Sequence, residues 1–203
     1  WHLKEGAAEE DKKEIVKALK EARREGKVII EEQCAGVGER KIREIGIFTA
    51  EERKEIGEEY RVFVRWHPAL LANIKSGRLN FKLPEGMIDV SDYPEVNELI
   101  AASDILITDY SSIIFDWYIT GRPVVFFMYD LEEYEGGRGL YFDLDEYLYG
   151  RLARNKDELV SAVRESNLCV EKRAAFGEKF MSACDGHSRE KVSKWIFDDD
   201  ERK

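Results

Sequence analysis

Basic residues are in short supply. Lys and Arg number 32 against 42 Asp and Glu, which leaves a net charge of −10 and a pI near 5.0. Without surplus cations a chain cannot release counterions from a polyphosphate backbone, so general nucleic-acid binding is excluded. A small phosphate ligand needs only a few local groups and stays open. Cysteine is equally scarce. Cys34, Cys169 and Cys184 form no CxxC pair, and their odd number argues against a disulfide framework. A reduced, cytoplasmic compartment is expected. With only His2, His67 and His187 beside them, no zinc-type cluster can be assembled. Apolar runs such as Ile113–Phe115 and Val124–Met128 are far too short to span a bilayer. There is no signal-peptide pattern. The sequence opens on Trp1 rather than Met, so a fragment or processed chain is expected.

What is present is a globular composition. Hydrophobic residues make up 43% and aromatics 11% of 203 residues, enough for one substantial core. Ala7–Glu25 reads as a charged helix with Ile15, Val16 and Leu19 on one face, ended by Gly26. Lys27–Glu32 reads as a strand, and Gln33–Phe48 as a glycine-containing loop. Thr49 with Glu52 makes a capping box that opens a helix over Ala50–Glu59. Strands are expected at Arg61–Trp66, Met87–Val90, Asp104–Thr108 and Pro123–Met128. Helices are expected from Pro68, over Pro94–Ala102 and Ser112–Thr120, and later over Lys156–Glu165, Val170–Ala183 and Ser188–Phe197. Asp198–Lys203 reads as a solvated tail.

Strands alternating with helices through short connections imply an α/β fold, with a Rossmann-like parallel sheet covered by helices on both faces. Ile105–Ile107 and Val124–Phe127 are apolar without alternation, as strands buried on both sides should be. Ligands in such sheets sit beyond the carboxyl ends of the strands. The residues that follow each strand therefore carry the interest.

One turn stands out. The strand ending at Thr108 is followed by Asp109-Tyr-Ser-Ser and then an apolar helix. Unpaired N–H groups and the dipole of a first helical turn make an anion site, and the hydroxyls of Ser111 and Ser112 add donors. The plainer reading has Ser111 and Asp109 merely capping the helix. Asp116, one turn in, fits either a ribose acceptor or a solvated surface acid.

The stretch from Asp89 to Asp116, with Ser103-Asp-Ile-Leu-Ile-Thr-Asp-Tyr-Ser-Ser-Ile-Ile-Phe-Asp at its end, resembles the CDP-glycerol:poly(glycerophosphate) glycerophosphotransferase family. Arg65-Trp-His-Pro, Arg122-Pro-Val-Val-Phe-Phe, Asp130-Leu-Glu-Glu-Tyr, Arg138-Gly-Leu-Tyr-Phe-Asp and Asp185-Gly follow the family's elements in order, over roughly Arg61 to Phe197. The resemblance implies the C-terminal, donor-binding lobe of a two-lobed GT-B transferase. It divides the chain into a lead-in over residues 1–60, a CDP-alditol-binding Rossmann-like lobe over 61–197, and a tail over 198–203. It implies transfer of glycerol phosphate from CDP-glycerol to a hydroxyl of a teichoic-acid or capsule polymer, with CMP released.

By the same resemblance Ser111 and Ser112 hold donor phosphate. His67, just past a strand end, is the catalytic candidate, against the alternative that it only fixes the turn before Pro68. Arg138 offers a guanidinium fork to phosphate, with Gly139 beside it in a glycine-rich loop, against the alternative of a solvent-facing arginine. Asp109 and Asp116 are assigned to the nucleotide and its ribose. His187 and Ser188 are the remaining candidates; the first equally reads as a surface residue and the second as a helix cap. No metal and no cofactor is implied beyond the donor substrate.

The family's N-terminal lobe, with its acceptor surface and a histidine proposed as base, finds no counterpart in Trp1–Tyr60. Binding of CDP or CDP-glycerol without catalysis by this chain alone is therefore expected. A CDP-ribitol donor, another nucleotide sugar, and an inactive nucleotide-binding module remain alternatives. The expected partners are the CDP-alditol and a polymer or lipid-linked acceptor met through the other lobe. The full-length protein is expected to be cytoplasmic and peripheral on the inner face of the membrane.

Overall fold

The computed structural model of the chain describes residues 27–33, 50–56, 60–78, 83–84, 86–137 and 139–197, together with helical positions Lys13, Ile15, Val16, Lys17 and Glu21. Most of the expected Ala7–Glu25 helix, the loop over 34–48, the Thr49 cap, Arg138 and the tail from 198 lie outside the described residues. By contact density the chain divides into two compact units. Trp1–Tyr141 with Gly150–Leu168 form the first, and Phe142–Tyr149 with Cys169–Lys203 the second.

The first unit is a six-stranded sheet. Its strands are β1 (Lys27–Gln33), β2 (Tyr60–Trp66), β3 (Met87–Asp89), β4 (Ile105–Thr108), β5 (Val124–Phe127) and β6 (Arg151–Ala153). Every pairing is parallel, and the spatial order is β3-β2-β1-β4-β5-β6. The Rossmann-like α/β expectation is met. β1, read from sequence as part of a lead-in, lies in the middle, paired with β2 on one side and β4 on the other.

Helices alternate with the strands: α1 (Ala50–Ile56), α2 (Pro68–Lys75), α3 (Val96–Ala102), α4 (Ile113–Thr120), α5 (Leu131–Gly137) and α7 (Lys156–Arg164). Side-chain alternation distributes them over both faces. On one face Val62, Val64, Trp66, Ile105, Ile107, Val125, Phe127 and Ala153 pack with Ile56 of α1, Leu70 of α2 and Leu159, Val160 and Val163 of α7. Phe63, Leu106, Val124 and Phe126 alternate to the other face and are buried as well. There α3 packs against β1 and α4, supplying buried Leu99, Ile100, Ile113, Ile114 and Trp117. β4 and β5 are thus buried at every position, which is why both are apolar without alternation.

Local chemistry fixes the ends of these elements. Pro68 opens α2, where its missing N–H costs nothing, and the His67 carbonyl accepts the N–H groups of Leu70 and Leu71 at 2.9 and 3.0 Å. Gly121 closes α4 at φ 71°, a left-handed conformation suited to glycine. Arg122 reaches back to the end of α3, where its Nη1 donates to the carbonyls of Ile100, Ala101 and Ser103. Trp117, fully buried, donates its indole N–H to the carbonyls of Arg122 and Pro123, each at 3.1 Å. The Arg122-Pro123 element therefore serves the joint between α3, α4 and β5.

Gly150 precedes β6 beside Val124. A Cβ built there would stand 2.2 Å from the Val124 carbonyl oxygen and 2.9 Å from its carbonyl carbon. Backbone would have to move, so Gly150→Ala should destabilise the chain by about 1–3 kcal/mol or more. Urea unfolding would register this as a lower midpoint, and an unchanged midpoint would contradict the contact.

The second unit contains α6 (Leu144–Tyr147), α8 (Val170–Phe176), a π-helical turn (Gly177–Met181) and α9 (Ser188–Phe197). The single helix expected over Val170–Ala183 is thus interrupted from Gly177 onward by the wider turn. Its core is aromatic: Phe142, Tyr147, Tyr149, Phe176 and Phe180 meet with ring centroids 4.8 to 6.2 Å apart. Among the described residues no helix is long and apolar enough to cross a membrane.

Candidate functional site

The strand order reverses direction between β1 and β4: the chain goes from β1 to β2 and β3 on one side, and from β4 to β5 and β6 on the other. Such a switch point leaves a crevice at the carboxyl ends of the strands. The turn Asp109–Ser112 leaves β4 there and leads into α4. His67 leaves β2 at the same edge of the sheet, since all strands run parallel. Only β1 separates the two strands, so their ends lie about 10 Å apart across the sheet. In register, Gln33 stands beside Trp66 and Glu32 beside Thr108.

The turn is tightly organised. Asp109 is buried, and its Oδ1 accepts the N–H of Tyr110 at 2.7 Å. Ser111 is also buried, and its Oγ accepts the N–H of Ile113 at 3.3 Å. Ser112 occupies the N-cap of α4 but makes no side-chain capping bond, and it is exposed. The serines thus divide: Ser111 shapes the turn and Ser112 presents its hydroxyl outward. Asp116 is exposed on the first turn of α4. At the base of the turn, Thr108 is fully buried and its Oγ1 has no hydrogen-bond partner among the described residues.

Tyr110 crosses to the next strand exit. Its hydroxyl donates to Asp130 Oδ1 at 3.0 Å, and its ring stacks on Tyr134 with centroids 3.6 Å apart and planes 9° from parallel. Burial, then the charge of Asp130 and the hydrogen bond to it, push the phenol far above its ordinary range. Tyr110 therefore stays protonated and donates. Beyond it, the carboxyl ends of β5 and β6 border a cavity of about 600 Å³ lined by Met128, Tyr129, Asp130, Leu131, Glu132, Glu133, Glu135 and Arg154.

In the Arg65-Trp-His-Pro element, Arg65 Nη1 donates to the Tyr93 carbonyl at 2.8 Å, Trp66 lies in the core, and its N–H donates to Ser91 Oγ at 2.8 Å. The His67 side chain is exposed at the strand end. Arg138 lies outside the described residues; Gly139 follows it at φ 74° and donates its N–H to the Tyr134 carbonyl at 3.1 Å.

His187 and Ser188 belong to the second unit. There Asp185 accepts the N–H of His187 at 3.0 Å and the Lys191 ammonium at 2.7 Å. The Lys191 bond first, and then the His187 N–H, hold its carboxyl below the ordinary range. The imidazole Nδ1 of His187 lies 3.1 Å from Glu190 Oε2. The Asp185-Gly186 element thus organises the start of α9. No group of three or more His, Cys, Asp and Glu side chains is placed to hold a metal ion among the described residues.

Sequence reasoning placed the β4 turn and His67 on one sheet edge, where they are found. It assigned no role to Thr108, Tyr110, Asp130 or Tyr134. A lone hydroxyl at the end of an apolar strand was the available signal for Thr108. For the others it was an aromatic or acidic residue just past each of two neighbouring strands.

Comparison with known proteins follows the same lines. A match to the CDP-Glycerol:Poly(glycerophosphate) glycerophosphotransferase family covers residues 37–198, reaching further upstream than the motifs that begin at Arg61. The teichoic acid poly(glycerol phosphate) polymerase of Bacillus subtilis is 36% identical over 151 residues, covering 71% of this chain and 20% of that protein. The teichoic acid poly(ribitol-phosphate) polymerase of Bacillus spizizenii is 30% identical over 139 residues, covering 68% of this chain and 22% of that protein. A solved structure of the wall teichoic acid polymerase TagF superposes with a TM-score of 0.63 at 30% identity, over 89% of this chain and 47% of the other. The chain thus spans about a fifth of the length of these two curated relatives and under half of the solved one. On the family match, the ordered motifs and the shared fold, the chain belongs to the CDP-glycerol:poly(glycerophosphate) glycerophosphotransferase family.

Proposed function

We propose that this chain is the donor-binding lobe of a transferase that moves glycerol phosphate from CDP-glycerol to a hydroxyl of a teichoic-acid or capsule polymer. The observation that carries the reading is the position of the Asp109–Ser112 turn, which opens α4 at the switch point of a sheet ordered β3-β2-β1-β4-β5-β6. An anion placed there meets first-turn N–H groups, the helix dipole and the outward hydroxyl of Ser112. Thr108 Oγ1, buried and without a partner among the described residues, supplies one more polar group beneath it.

Charge separates the parts of the ligand. Among the described residues, the cavity beyond β5 and β6 sets the carboxylates of Glu132, Glu133 and Glu135, beside an Asp130 already engaged by Tyr110, against the guanidinium of Arg154. Such a lining repels pyrophosphate but accepts hydrogen bonds from uncharged hydroxyls. The cavity therefore suits the cytidine ribose, with the phosphates over α4. Asp109 shapes the turn from within, and exposed Asp116 is left as the carboxylate of α4 itself for the nucleotide.

In the reaction the acceptor hydroxyl attacks the β-phosphorus of CDP-glycerol. The bond between that phosphorus and the bridging oxygen breaks, CMP leaves, and the hydroxyl proton passes to a base. The lobe stabilises charge on phosphate oxygens in the transition state. His67 faces the same edge and serves as the imidazole that bonds the transferring phosphoryl group, with Arg138 adding donors and Gly139, whose N–H is taken by the Tyr134 carbonyl, shaping the loop beside it. His187 and Ser188 stay secondary candidates. The acceptor, polymer or lipid-linked, is met through a further lobe, and the assembled protein works at the inner face of the cell membrane. No resident cofactor enters the scheme.

The ribitol-phosphate polymerase among the relatives favours a second reading, in which the donor is CDP-ribitol. Titration calorimetry with CDP-glycerol, CDP-ribitol, CDP and UDP tests both. CDP and one CDP-alditol should bind at least about tenfold more tightly than UDP. Equal binding of UDP would overturn the assignment of the donor base.

A further inference from the structure

The Asp109–Ser112 turn has no regular structure of its own. One end is fixed by the strand register that sets Thr108 beside Phe126, and the other by the bond from the Phe115 N–H to the Ser112 carbonyl at 3.1 Å. Within it Asp109 and Ser111 bond to neighbouring main-chain N–H groups, and Tyr110 extends to the next strand exit. That side chain does not fold back on its own strand or helix. It crosses to the exit of β5, where it meets Asp130 through a hydrogen bond and Tyr134 through a stack. Tyr134 is itself held, since its carbonyl closes the end of α5 by accepting the Gly139 N–H.

We propose that Tyr110, Asp130 and Tyr134 form a positioning latch that holds the phosphate-receiving turn in its binding geometry, so that the latch sets affinity for the phosphates of the ligand and not for its nucleoside. This inference rests on the donor-site reading above. Phosphate recognition by backbone N–H groups and one hydroxyl is sensitive to displacements of about 0.5 Å. Bonds local to the turn set its shape, whereas the stack and the hydrogen bond of Tyr110 fix its position against the neighbouring strand exit from two directions. The phenol of Tyr110 keeps its proton, so the donor half of the bond persists across the working pH range.

The same geometry would serve plain packing, and the two roles predict different things. Tyr110→Phe keeps the ring and its stack and removes only the bond to Asp130. Tyr134→Ala removes the stack. Tyr134→Phe removes a hydroxyl that the latch does not use. CDP binding by calorimetry and cytidine binding by NMR titration should be measured on each, with the melting temperature as a fold control.

For Tyr110→Phe the CDP dissociation constant should rise about tenfold while that of cytidine changes less than about twofold. Tyr134→Ala should behave alike, and Tyr134→Phe should match the parent chain. CDP affinity unchanged in Tyr110→Phe would overturn the latch, whatever happens to its melting temperature. Equal losses of CDP and cytidine would overturn it too, because the whole site would then have loosened. Should Tyr134→Ala fail to fold, Tyr110→Phe decides. A parent chain that bound no CDP would remove the donor reading, a failure visible before any variant is made.

Discussion

Replacing Ser111 and Ser112 together by alanine is expected to weaken CDP binding by at least about tenfold, read by titration calorimetry. A hydrogen bond to a charged oxygen contributes about 1.5–3 kcal/mol, so loss of the outward Ser112 hydroxyl corresponds to about tenfold or more, and loss of Ser111 adds to it by loosening the turn. The single changes should differ in kind. Ser112 is exposed and makes no capping bond, so Ser112→Ala should lose affinity at an almost constant melting temperature. Ser111 is buried with its Oγ on the Ile113 N–H, so Ser111→Ala should also cost about 1 kcal/mol of stability, as lost caps do. Undiminished CDP affinity in the double variant would mean that the serines only cap the helix, and the phosphate assignment would fail.

The sheet was legible because its central strands obey a simple rule. Strands buried on both faces must be apolar throughout, and Ile105–Thr108 and Val124–Phe127 are. Helix ends were legible where a residue with one conformational habit stood at them, as Pro68 and Gly121 do. What stayed hidden lacks such signals. α5 (Leu131–Gly137) buries no residue and ends in two glycines, so no apolar period marks it. α6 has four residues, and the edge strand β6 has three with one fully buried, too few to display any period. The π-helical turn at Gly177–Met181 adds one residue per turn inside an otherwise unbroken helical pattern, and nothing in the residue types announces it.

The site divided in the same way. Residues whose place follows from the end of a strand, such as His67 and Ser112, could be located from the sequence alone. Residues that act by touching one another across strands could not. Tyr110 and Asp130 lie 20 positions apart, a separation that no helical or strand period links. They meet because β4 and β5 are neighbours in register. Some conspicuous motif residues turned out to have structural partners: Arg122 gathers the carbonyls at the end of α3, and Arg65 holds the Tyr93 carbonyl. An ordered motif therefore mixes residues that build the edge of the sheet with residues that use it.

His67 allows those two kinds to be separated by experiment. Its main chain is structural, since the carbonyl accepts from Leu70 and Leu71 and starts α2. Its side chain is exposed at the strand end. Alanine keeps the carbonyl, so His67→Ala should leave the melting temperature within about a degree of the parent, as surface substitutions usually do. In the enzyme assembled with its acceptor-binding part, the same change should lower glycerol-phosphate transfer by about a hundredfold or more, the usual scale for a lost general acid, base or charge-stabilising group. CDP affinity should fall far less, because an interaction made chiefly in the transition state reduces turnover rather than binding of the leaving nucleotide. His67→Asn, which retains an N–H donor, should recover part of the loss if the imidazole acts by donating to the phosphoryl oxygen, and none if it acts as the base. Transfer at the parent rate in His67→Ala would remove the catalytic assignment from this residue and move it elsewhere along the same edge.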